Sequence, residues 1–382
     1  MKKRIALLGS TGSIGVNALK VISVLNDKFE IAALSADSNI KLLSDQARRF
    51  NPKVLCVRDA SLAGRLKALA PSGAGVLTGS DGLDEIVSRP DVDIVIFAIS
   101  GSSCIAPLIR AIKNKKRIAL ANKESLVSAG SIVMPLAKRN NVSIIPIDSE
   151  HSAIFQCLEG KRPFLKKIYL TATGGPLLDI PKNSFDKCSR DFILNHPKWK
   201  MGSKISVDSA TMMNKGLEII EAKWLFGIEE GKIDVLVHPE AAVHSMIELI
   251  DGNVFAQISL PDMRLPIQYA ITYPSRLPTE VEFLDFTKIK DLSFRKPDLK
   301  KFPSLGLARK ALKDGGTYPA VLNAADEAVV ENYLKGKTRF SRIPVIIEKV
   351  LARHKRSVKE PSIGDIMEAE SWAREETVKL CH

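Results

Sequence analysis

Cysteine is scarce in this sequence, and the cysteines present are too far apart to suggest a zinc or redox pair. Five cysteines in 382 residues is an odd number, which favours a reducing cytosol and therefore a cytoplasmic protein. Long hydrophobic runs are also missing, since the longest uncharged apolar-rich stretch, 94–109, falls short of the roughly 18 residues of a membrane span. Repeats and low-complexity segments are absent, which excludes solenoid and fibrous proteins. The sequence therefore predicts a soluble globular protein.

Aromatic residues make up only 6% of the chain, and their scarcity helps to interpret its strong positive charge. The formal net charge is +13, and the basic excess is concentrated at 288–313 and 335–359. A basic field attracts any anion, whether nucleic acid, membrane surface or small acidic substrate. Because the aromatic residues there are not interleaved with the basic ones, we expect a solvated basic surface with no nucleic-acid and no membrane partner. A non-catalytic nucleotide-sensing or nucleic-acid-binding protein is the alternative that the charge leaves open.

A glycine-rich turn near the start of the chain predicts a nucleotide site. The apolar run 4–8 ends in residues 9–15 (GSTGSIG), and a helical stripe of apolar residues follows. Glycines let the backbone approach a pyrophosphate, whose charge is attracted by a helix start. The spacing differs from the more usual G-x-G-x-x-G, so a glycine turn without a nucleotide is the alternative. Strand-like and helix-like segments alternate through residue 150, which predicts a doubly wound, Rossmann-like parallel sheet over 1–150.

The residues after the second predicted strand leave the choice of cofactor open. Asp37 stands where an acid usually hydrogen-bonds a ribose hydroxyl, which favours NAD. A 2′-phosphate prefers Arg or Lys there, although Ser38 and Asn39 could donate to a phosphate. From the residues alone, both NAD and NADP remain possible. Because ligands lie at the carboxyl ends of parallel strands, the loops at 100–103 and 121–125 are also expected to belong to the site.

Three carboxylates predict a metal site. Asp148 and Glu150 follow the apolar run 142–147, and an extended backbone there would point both carboxylates to one side. Farther along, Asn214 and Glu218 are four residues apart on a predicted helix and therefore share a face. Asp148, Glu150 and Glu218 would make an all-oxygen site suited to Mg²⁺ or Mn²⁺. The alternative is a solvated turn, because acidic residues are mostly exposed.

The middle of the chain carries a second phosphate-type turn and a lid. Residues 169–176 (YLTATGGP) are an apolar run that ends in hydroxyl groups and glycines, from which a phosphate-binding loop could be built. Lys215, near a helix start, could hold an anion. Residues 196–203 contain His196 and Trp199 without helix or strand periodicity, which predicts a lid. An ordinary turn and an ordinary surface loop are the respective alternatives.

The remaining segments define the expected domain organisation. A hairpin with an Asp-Gly turn is predicted near 246–260, and the edge of its sheet is a candidate subunit contact. We expect a central α/β catalytic domain over 151–284 that contains the dimer contact and the lid. A Pro- and Lys-rich linker is predicted at 285–304. A small C-terminal helical domain is predicted over 305–382.

Four motifs make the sequence resemble one enzyme family. They are residues 9–15 (GSTGSIG), 121–125 (ANKES), 148–151 (DSEH) and 206–215 (SVDSATMMNK). In this order, over nearly the whole chain, they resemble the 1-deoxy-D-xylulose 5-phosphate reductoisomerases. The resemblance implies NADPH as reductant, a divalent cation (Mg²⁺, Mn²⁺ or Co²⁺) and a homodimer. It also implies isomerisation and reduction of a small phosphorylated sugar, 1-deoxy-D-xylulose 5-phosphate, to 2-C-methyl-D-erythritol 4-phosphate in the non-mevalonate route to isoprenoid precursors.

The resemblance further implies roles for individual residues. Lys123 and Glu150 are implied as catalytic residues, and the implied metal ligands are Asp148, Glu150 and Glu218. The residues implied to bind NADPH are Thr11, Gly12, Ser13, Ile14, Asn39, Asn122, Glu124 and Gly202. Those implied to bind substrate are Lys123, Ser149, Thr173, His196, Trp199, Met201, Ser209, Asn214, Lys215 and Glu218, with Trp199 and Met201 on the lid.

Two positions depart from the family pattern. Thr173 stands where many members have Ser, and this change keeps the hydroxyl. The stretch 36–38 (ADS) lacks the Gly and the basic residue common in relatives, which weakens a strict preference for NADPH. We still expect NADPH because Asn39 is retained. A metal-independent NAD(P) dehydrogenase of another small phosphorylated substrate is the alternative enzyme, since it would need the first domain but not three convergent carboxylates.

Overall fold

Seven parallel strands form the first sheet in the computed structural model, which describes residues 1–199, 201–355 and 358–381. The strands are β1 (Lys3–Leu8), β2 (Phe29–Ala36), β3 (Val54–Val57), β4 (Gly75–Thr78), β5 (Ile94–Phe97), β6 (Arg117–Leu120) and β7 (Ile144–Pro146). Their spatial order is β4-β3-β2-β1-β5-β6-β7, so the direction of winding reverses between β1 and β5. Dinucleotides bind in the crevice at such a reversal, outside the carboxyl ends of the strands. The predicted doubly wound sheet is confirmed.

Helices alternate with these strands, because residues 5–8 of β1 are fully buried and a parallel sheet must be covered on both faces. The first seven helices are α1 (Ser13–Val24), α2 (Ile40–Phe50), α3 (Ala63–Leu69), α4 (Gly79–Ser88), α5 (Ile105–Lys113), α6 (Glu124–Arg139) and α7 (Ser149–Leu158). The side chain of Asn39 caps α2 by accepting a hydrogen bond from the Leu42 N–H at 3.2 Å. The left-handed residue Asn51 ends α2, which confirms the helix predicted there.

A second sheet has four strands, β8 (Leu165–Ala172), β9 (Ile233–Val237), β10 (Val243–Leu249) and β11 (Val254–Ile258). Their order is β11-β10-β8-β9, with β8 and β9 parallel and the other pairs antiparallel. The turn between β10 and β11 contains Gly252 at a φ of +84°, a conformation that favours glycine. The predicted hairpin is confirmed, and β11 lies at the edge of the sheet.

Eight more helices complete the chain: α8 (Arg190–Leu194), α9 (Ser203–Thr211), α10 (Met213–Phe226), α11 (Arg264–Thr272), α12 (Ser304–Asp314), α13 (Tyr318–Leu334), α14 (Arg342–Arg353) and α15 (Ile363–Cys381). Within the helical domain predicted over 305–382, the sequence pattern indicates helices at 305–312, 318–334 and 343–354, which correspond to α12, α13 and α14, whereas it does not indicate α15. The segment predicted as a linker contains a 3₁₀ turn at Phe286–Lys288 and pairs with β9 through a bridge between Arg295 and Val237.

The chain divides into two compact units. The first comprises Met1–Ser125, Val133–Ser152 and Asp262–Glu282, and it holds the seven-stranded sheet with α11 packed on α1. The second comprises Leu126–Ile132, Ala153–Pro261 and Phe283–His382, and it holds the four-stranded sheet and the C-terminal helices. Across the described part of the chain, no helix combines the length and apolar character needed to cross a membrane.

Candidate active site

The glycine turn after β1 has the geometry of a pyrophosphate cradle. Gly9 has a φ of +86°, and a Cβ on it would lie 2.5 Å from the Ala98 carbonyl oxygen, beyond the end of β5. A Cβ on Gly15 would lie 2.2 Å from the Gly9 carbonyl oxygen. Only glycine fits at these two positions, and α1 starts directly behind the turn at Ser13. The turn therefore fits the dinucleotide predicted to bind Thr11, Gly12, Ser13 and Ile14, because its backbone can approach a phosphate at a helix start.

A residue on α2 fixes this turn and escaped the sequence prediction. The Gln46 side chain accepts a hydrogen bond from the Ser10 hydroxyl at 2.6 Å and donates one to the Ser10 carbonyl at 2.9 Å. Both side chains are buried. A buried, doubly hydrogen-bonded amide holds the turn in one conformation. The signal in the sequence was a long polar residue on the buried face of α2, which also contains Ile40, Leu43 and Ala47.

Asn122 and Glu124 occupy the loop after β6 and the start of α6. The Asn122 side chain donates to the carbonyls of Ile99 and Gly101 at 2.9 and 3.0 Å and accepts from the Ser125 N–H at 2.8 Å. Its amide thus joins the loop after β5 to the start of α6, and both of its N–H donors are used within the protein. The contact with NADPH predicted for Asn122 would therefore involve its backbone or its amide oxygen.

Lys123 and Asp148 form a buried ion pair in the first unit. Burial opposes ionisation of Asp148, but the Lys123 ammonium and a hydrogen bond from His151 outweigh it and hold the pKa of Asp148 well below its usual value. Asp148 is therefore a carboxylate at neutral pH.

The predicted extended conformation of the 148–150 segment is wrong. Strand β7 ends at Pro146, and α7 begins at Ser149, with the Asp148 carbonyl accepting from the Ser152 N–H at 2.8 Å. The carboxylates of Asp148 and Glu150 are therefore presented by the start of a helix, whose dipole favours negative charge. The Ser149 hydroxyl donates to Glu150 at 2.5 Å.

In the second unit, Thr173 and His196 are hydrogen-bonded at 2.8 Å through Oγ1 and Nε2. The His196 Nδ1 accepts from the backbone N–H groups of Lys198 and Trp199, so the proton of the neutral ring is on Nε2. The Thr173 oxygen accepts this N–H and, at 3.3 Å, the N–H of Gly175. The hydroxyl can then donate its own proton to an anion, as predicted for a phosphate-binding turn.

Helices α9 and α10 bring four further predicted residues together. A Cβ on Gly175, which has a φ of +67°, would lie 2.8 Å from the Ser209 carbonyl oxygen, so the Thr173 turn lies against α9. On α10, the Asn214 amide donates to the Glu218 carboxylate at 2.5 Å, and Lys215 pairs with the same carboxylate. The prediction that Asn214 and Glu218 share a helix face is confirmed.

Next to Ser209, a charged cluster of Lys204, Asp208 and Asp326 was not predicted. Lys204 on α9 contacts Asp208 at 2.5 Å and Asp326 on α13 at 2.7 Å. Burial and the carboxylate of Asp326 raise the pKa of Asp208 well above its usual value, despite Lys204. One carboxylate oxygen on each acid has no hydrogen-bond partner among the described residues. The cluster fixes α9 against α13.

In the predicted lid segment, residues 196–199, 201 and 202 lie in neither a helix nor a strand, Ser203 begins α9, and Lys200 lies outside the described residues. The Trp199 ring lies 6.1 Å from the ring of His244, which is buried on β10. Met201 is half-buried, and Gly202 caps the start of α9. The segment therefore leads directly into the helix that carries Ser209.

The chemistry of the donors fits a hard divalent cation. Asp148, Glu150 and Glu218 offer only carboxylate oxygens, the ligands that Mg²⁺ and Mn²⁺ prefer. Within each unit a lysine neutralises one of them, since Lys123 pairs with Asp148 and Lys215 with Glu218. Neighbouring cationic and hydroxyl groups suit a phosphorylated substrate.

Three family models match consecutive parts of the chain. They are described as 1-deoxy-D-xylulose 5-phosphate reductoisomerase at residues 5–130, as the C-terminal domain of that enzyme at 144–226, and as the DXP reductoisomerase C-terminal domain at 258–376. The chain is also 51% identical over 385 residues to the reductoisomerase of Acetivibrio thermocellus, covering 99% of this chain and 100% of the relative. It is 48% identical over 379 residues to that of Thermoanaerobacter pseudethanolicus, covering 99% of both.

Solved structures of reductoisomerases match nearly the whole length of the chain. The reductoisomerase from Zymomonas mobilis in complex with NADPH has a TM-score of 0.93 at 39% identity and covers 100% of both chains. A second reductoisomerase structure, in complex with NADPH, fosmidomycin and magnesium, has a TM-score of 0.94 at 37% identity and covers 99% of this chain and 98% of the other. The resemblance is confirmed: the chain belongs to the 1-deoxy-D-xylulose 5-phosphate reductoisomerase family.

Proposed function

We propose that this protein catalyses the NADPH- and divalent-metal-dependent isomerisation and reduction of 1-deoxy-D-xylulose 5-phosphate to 2-C-methyl-D-erythritol 4-phosphate. This reaction supplies isoprenoid precursors by the non-mevalonate pathway. The observation that carries the proposal is the arrangement on α10, where Asn214 and Lys215, both suited to an anion, contact Glu218, which is suited to a cation. A phosphorylated substrate that also chelates a metal needs these two functions side by side. Relatives of this chain bind NADPH, magnesium and fosmidomycin, which supports the same chemistry here.

In this proposal the first unit binds the cofactor. The pyrophosphate lies on the glycine turn and the start of α1, where backbone N–H groups and the helix dipole favour its charge. Asn39, the loop after β6 and Gly202 would contact the rest of the cofactor. The residues proposed to bind NADPH are Thr11, Gly12, Ser13, Ile14, Asn39, Asn122, Glu124 and Gly202.

Asp148, Glu150 and Glu218 are proposed to hold the divalent cation. When bound, the cation acts as a Lewis acid that stabilises negative charge on the substrate oxygens. Lys123 adds a charge-assisted hydrogen bond to the oxygen that gains charge as the carbon skeleton rearranges. Glu150, hydrogen-bonded to Ser149, is placed to accept or return a hydroxyl proton. NADPH, held by the glycine turn, would supply the hydride that reduces the aldehyde formed in the rearrangement.

The substrate phosphate is proposed to bind Thr173, Ser209, Asn214 and Lys215. Because His196 and Gly175 donate to the Thr173 oxygen, the Thr173 hydroxyl is oriented to donate outward. Remote phosphate binding can stabilise a closed lid through Trp199 and Met201, which would exclude water from the reactive aldehyde. His196 links the two functions, since it touches both the phosphate turn and the backbone of the lid.

We also propose a homodimer formed through the edge of the four-stranded sheet. Ile250, Val254 and Phe255, on β11 and its turn, are 69%, 52% and 40% exposed. An exposed apolar edge strand is a surface that natural proteins usually cover.

All five cysteines are free thiols, which fits the reducing cytoplasm that we propose as the location of this protein.

A direct assay tests the reaction. The purified protein is incubated with 1-deoxy-D-xylulose 5-phosphate, Mn²⁺ and NADPH while NADPH absorbance is followed, and the product is identified by mass spectrometry. We expect oxidation that stops on chelation of the metal and that fosmidomycin inhibits. Oxidation that continues after chelation would instead support a metal-independent dehydrogenase. If no metal-dependent oxidation is seen at all, the proposed function is wrong.

A further inference from the structure

The loops that follow β2 and β3 are joined side by side. The Arg58 N–H donates to the Ala36 carbonyl at 3.0 Å, and the Asp59 N–H donates to the Asp37 carbonyl at 3.3 Å. The Arg58 guanidinium then lies 2.9 Å from the Asp37 carboxylate. Parallel pairing fixes this arrangement, because Ala36 and Val57 are register partners and each is followed at once by its loop. Arg58 therefore lies beside Asp37, in whose own loop residues 36–38 include no basic residue.

This position is the one at which a dinucleotide presents its adenosine ribose. The carboxyl end of the second strand meets the ribose 2′ position, where an acid selects the hydroxyl of NAD and a neighbouring Arg accommodates the phosphate of NADP. Asp37 alone would repel a 2′-phosphate. Paired with Arg58, its charge is balanced by a guanidinium that has five N–H donors and can bind a carboxylate and a phosphate at the same time.

The exposure of the pair also favours a role in binding. The side chains of Arg58 and Asp37 are 67% and 69% exposed. An ion pair this exposed stabilises a fold very little. Its guanidinium is, however, accessible to a ligand that reaches the ends of β2 and β3.

We propose that Arg58 binds the 2′-phosphate of NADPH and, by balancing Asp37, sets the preference of this protein for NADPH over NADH. The inference rests on the proposed function, because it assigns a residue to the cofactor site of that reaction. Arg58, which directly follows β3, would supply the positive charge that residues 36–38 lack.

Binding to the full chain without substrate is the direct test. Adenosine 2′,5′-bisphosphate and 5′-AMP differ by the 2′-phosphate, and calorimetry measures their dissociation constants for the wild type and for Arg58→Gln. We expect Arg58→Gln to weaken binding of the bisphosphate by roughly 10- to 100-fold, as for a lost hydrogen bond to a charged group, and to leave 5′-AMP unchanged. Arg58→Lys, which retains the charge but loses the fork, should fall between the two.

Two variants serve as controls. Arg48→Gln removes another exposed Arg–Asp pair, with Asp45, on α2, and it should change neither dissociation constant. If the Asp37 carboxylate only repels the 2′-phosphate, Asp37→Asn should lower the dissociation constant of the bisphosphate. Unchanged bisphosphate binding in Arg58→Gln would overturn the proposal, as would an equal loss for both probes. Because neither probe is a substrate, these results do not depend on turnover, whereas an inactive wild type would refute the proposed function alone.

Discussion

Replacing Thr173 by Val tests the phosphate site with almost no change in side-chain shape. The Thr173 oxygen accepts from the His196 Nε2–H at 2.8 Å and from the Gly175 N–H at 3.3 Å. Because both contacts use the oxygen as an acceptor, the hydroxyl proton is the one group left to donate to the substrate. Valine removes the donor and the acceptor together.

The size of the effect follows from these contacts. A hydrogen bond to a charged group contributes about 1.5–3 kcal/mol, which corresponds to a loss of about 10- to 150-fold in kcat/KM for the substrate. The His196 N–H also loses its acceptor, which would cost about 1–3 kcal/mol if it stays buried without a partner. This second cost falls on stability and on the lid segment. The dissociation constant of NADPH should not change, since Thr173 is not among the residues proposed to bind NADPH.

Steady-state NADPH oxidation at varied substrate concentration measures the loss. Thr173→Ser keeps the hydroxyl and should remain close to the wild type. Thr171→Val is a matched control, because the Thr171 hydroxyl donates to the carbonyls of Val243 and His244 within the protein. That control should lower the melting temperature without raising KM for the substrate. A kcat/KM within twofold of the wild type in Thr173→Val would refute the assignment of Thr173 to the phosphate.

Three more substitutions test other parts of the protein. Glu218→Gln removes a proposed metal ligand and should raise the Mn²⁺ concentration needed for half-maximal turnover by at least about tenfold, with NADPH affinity retained; unchanged metal dependence would contradict it. Gly15→Ala places a Cβ 2.2 Å from the Gly9 carbonyl oxygen and should weaken NADPH binding, measured by nucleotide fluorescence, by more than about tenfold. His354 has its pKa lowered by burial, so the unfolded chain takes up a proton first as pH falls below about 6.5 and the folded state loses stability. The melting temperature of His354→Gln should therefore fall less than that of the wild type between about pH 7.5 and about pH 5.5. An equal fall in both proteins would show that another group is responsible.

Local sequence patterns predicted those parts of the site that depend on neighbouring residues. The glycine turn was predictable because close approach or a left-handed φ requires glycine at particular positions: Gly9 has both, and Gly15 has the close approach. The Asn214–Glu218 contact was predictable because residues four apart on a helix are neighbours. Family resemblance then supplied the roles that no local pattern encodes.

Contacts between distant residues could not be predicted in this way. Gln46 reaches the glycine turn, Arg58 reaches Asp37, and Asp326 reaches Lys204 only because of how strands and helices are placed in space. The helix α15 was missed for another reason. Its buried residues, including Ala369, Ala373 and Thr377, recur at helical spacing but are small or polar, so the apolar stripe is weak.

The segment 148–150 shows how an error in local structure can leave a chemical prediction intact. The apolar run before it favoured an extended chain, although an Asp followed by an acidic residue is also a signal for a helix start. As a helix start, the segment holds the Asp148 carboxylate next to the Lys123 ammonium, just as α10 holds Glu218 next to Lys215. The two lysines together carry the charge of one divalent cation. If the carboxylates bind that cation as proposed, both ammonium groups become available to the substrate, so metal and substrate should each strengthen the binding of the other.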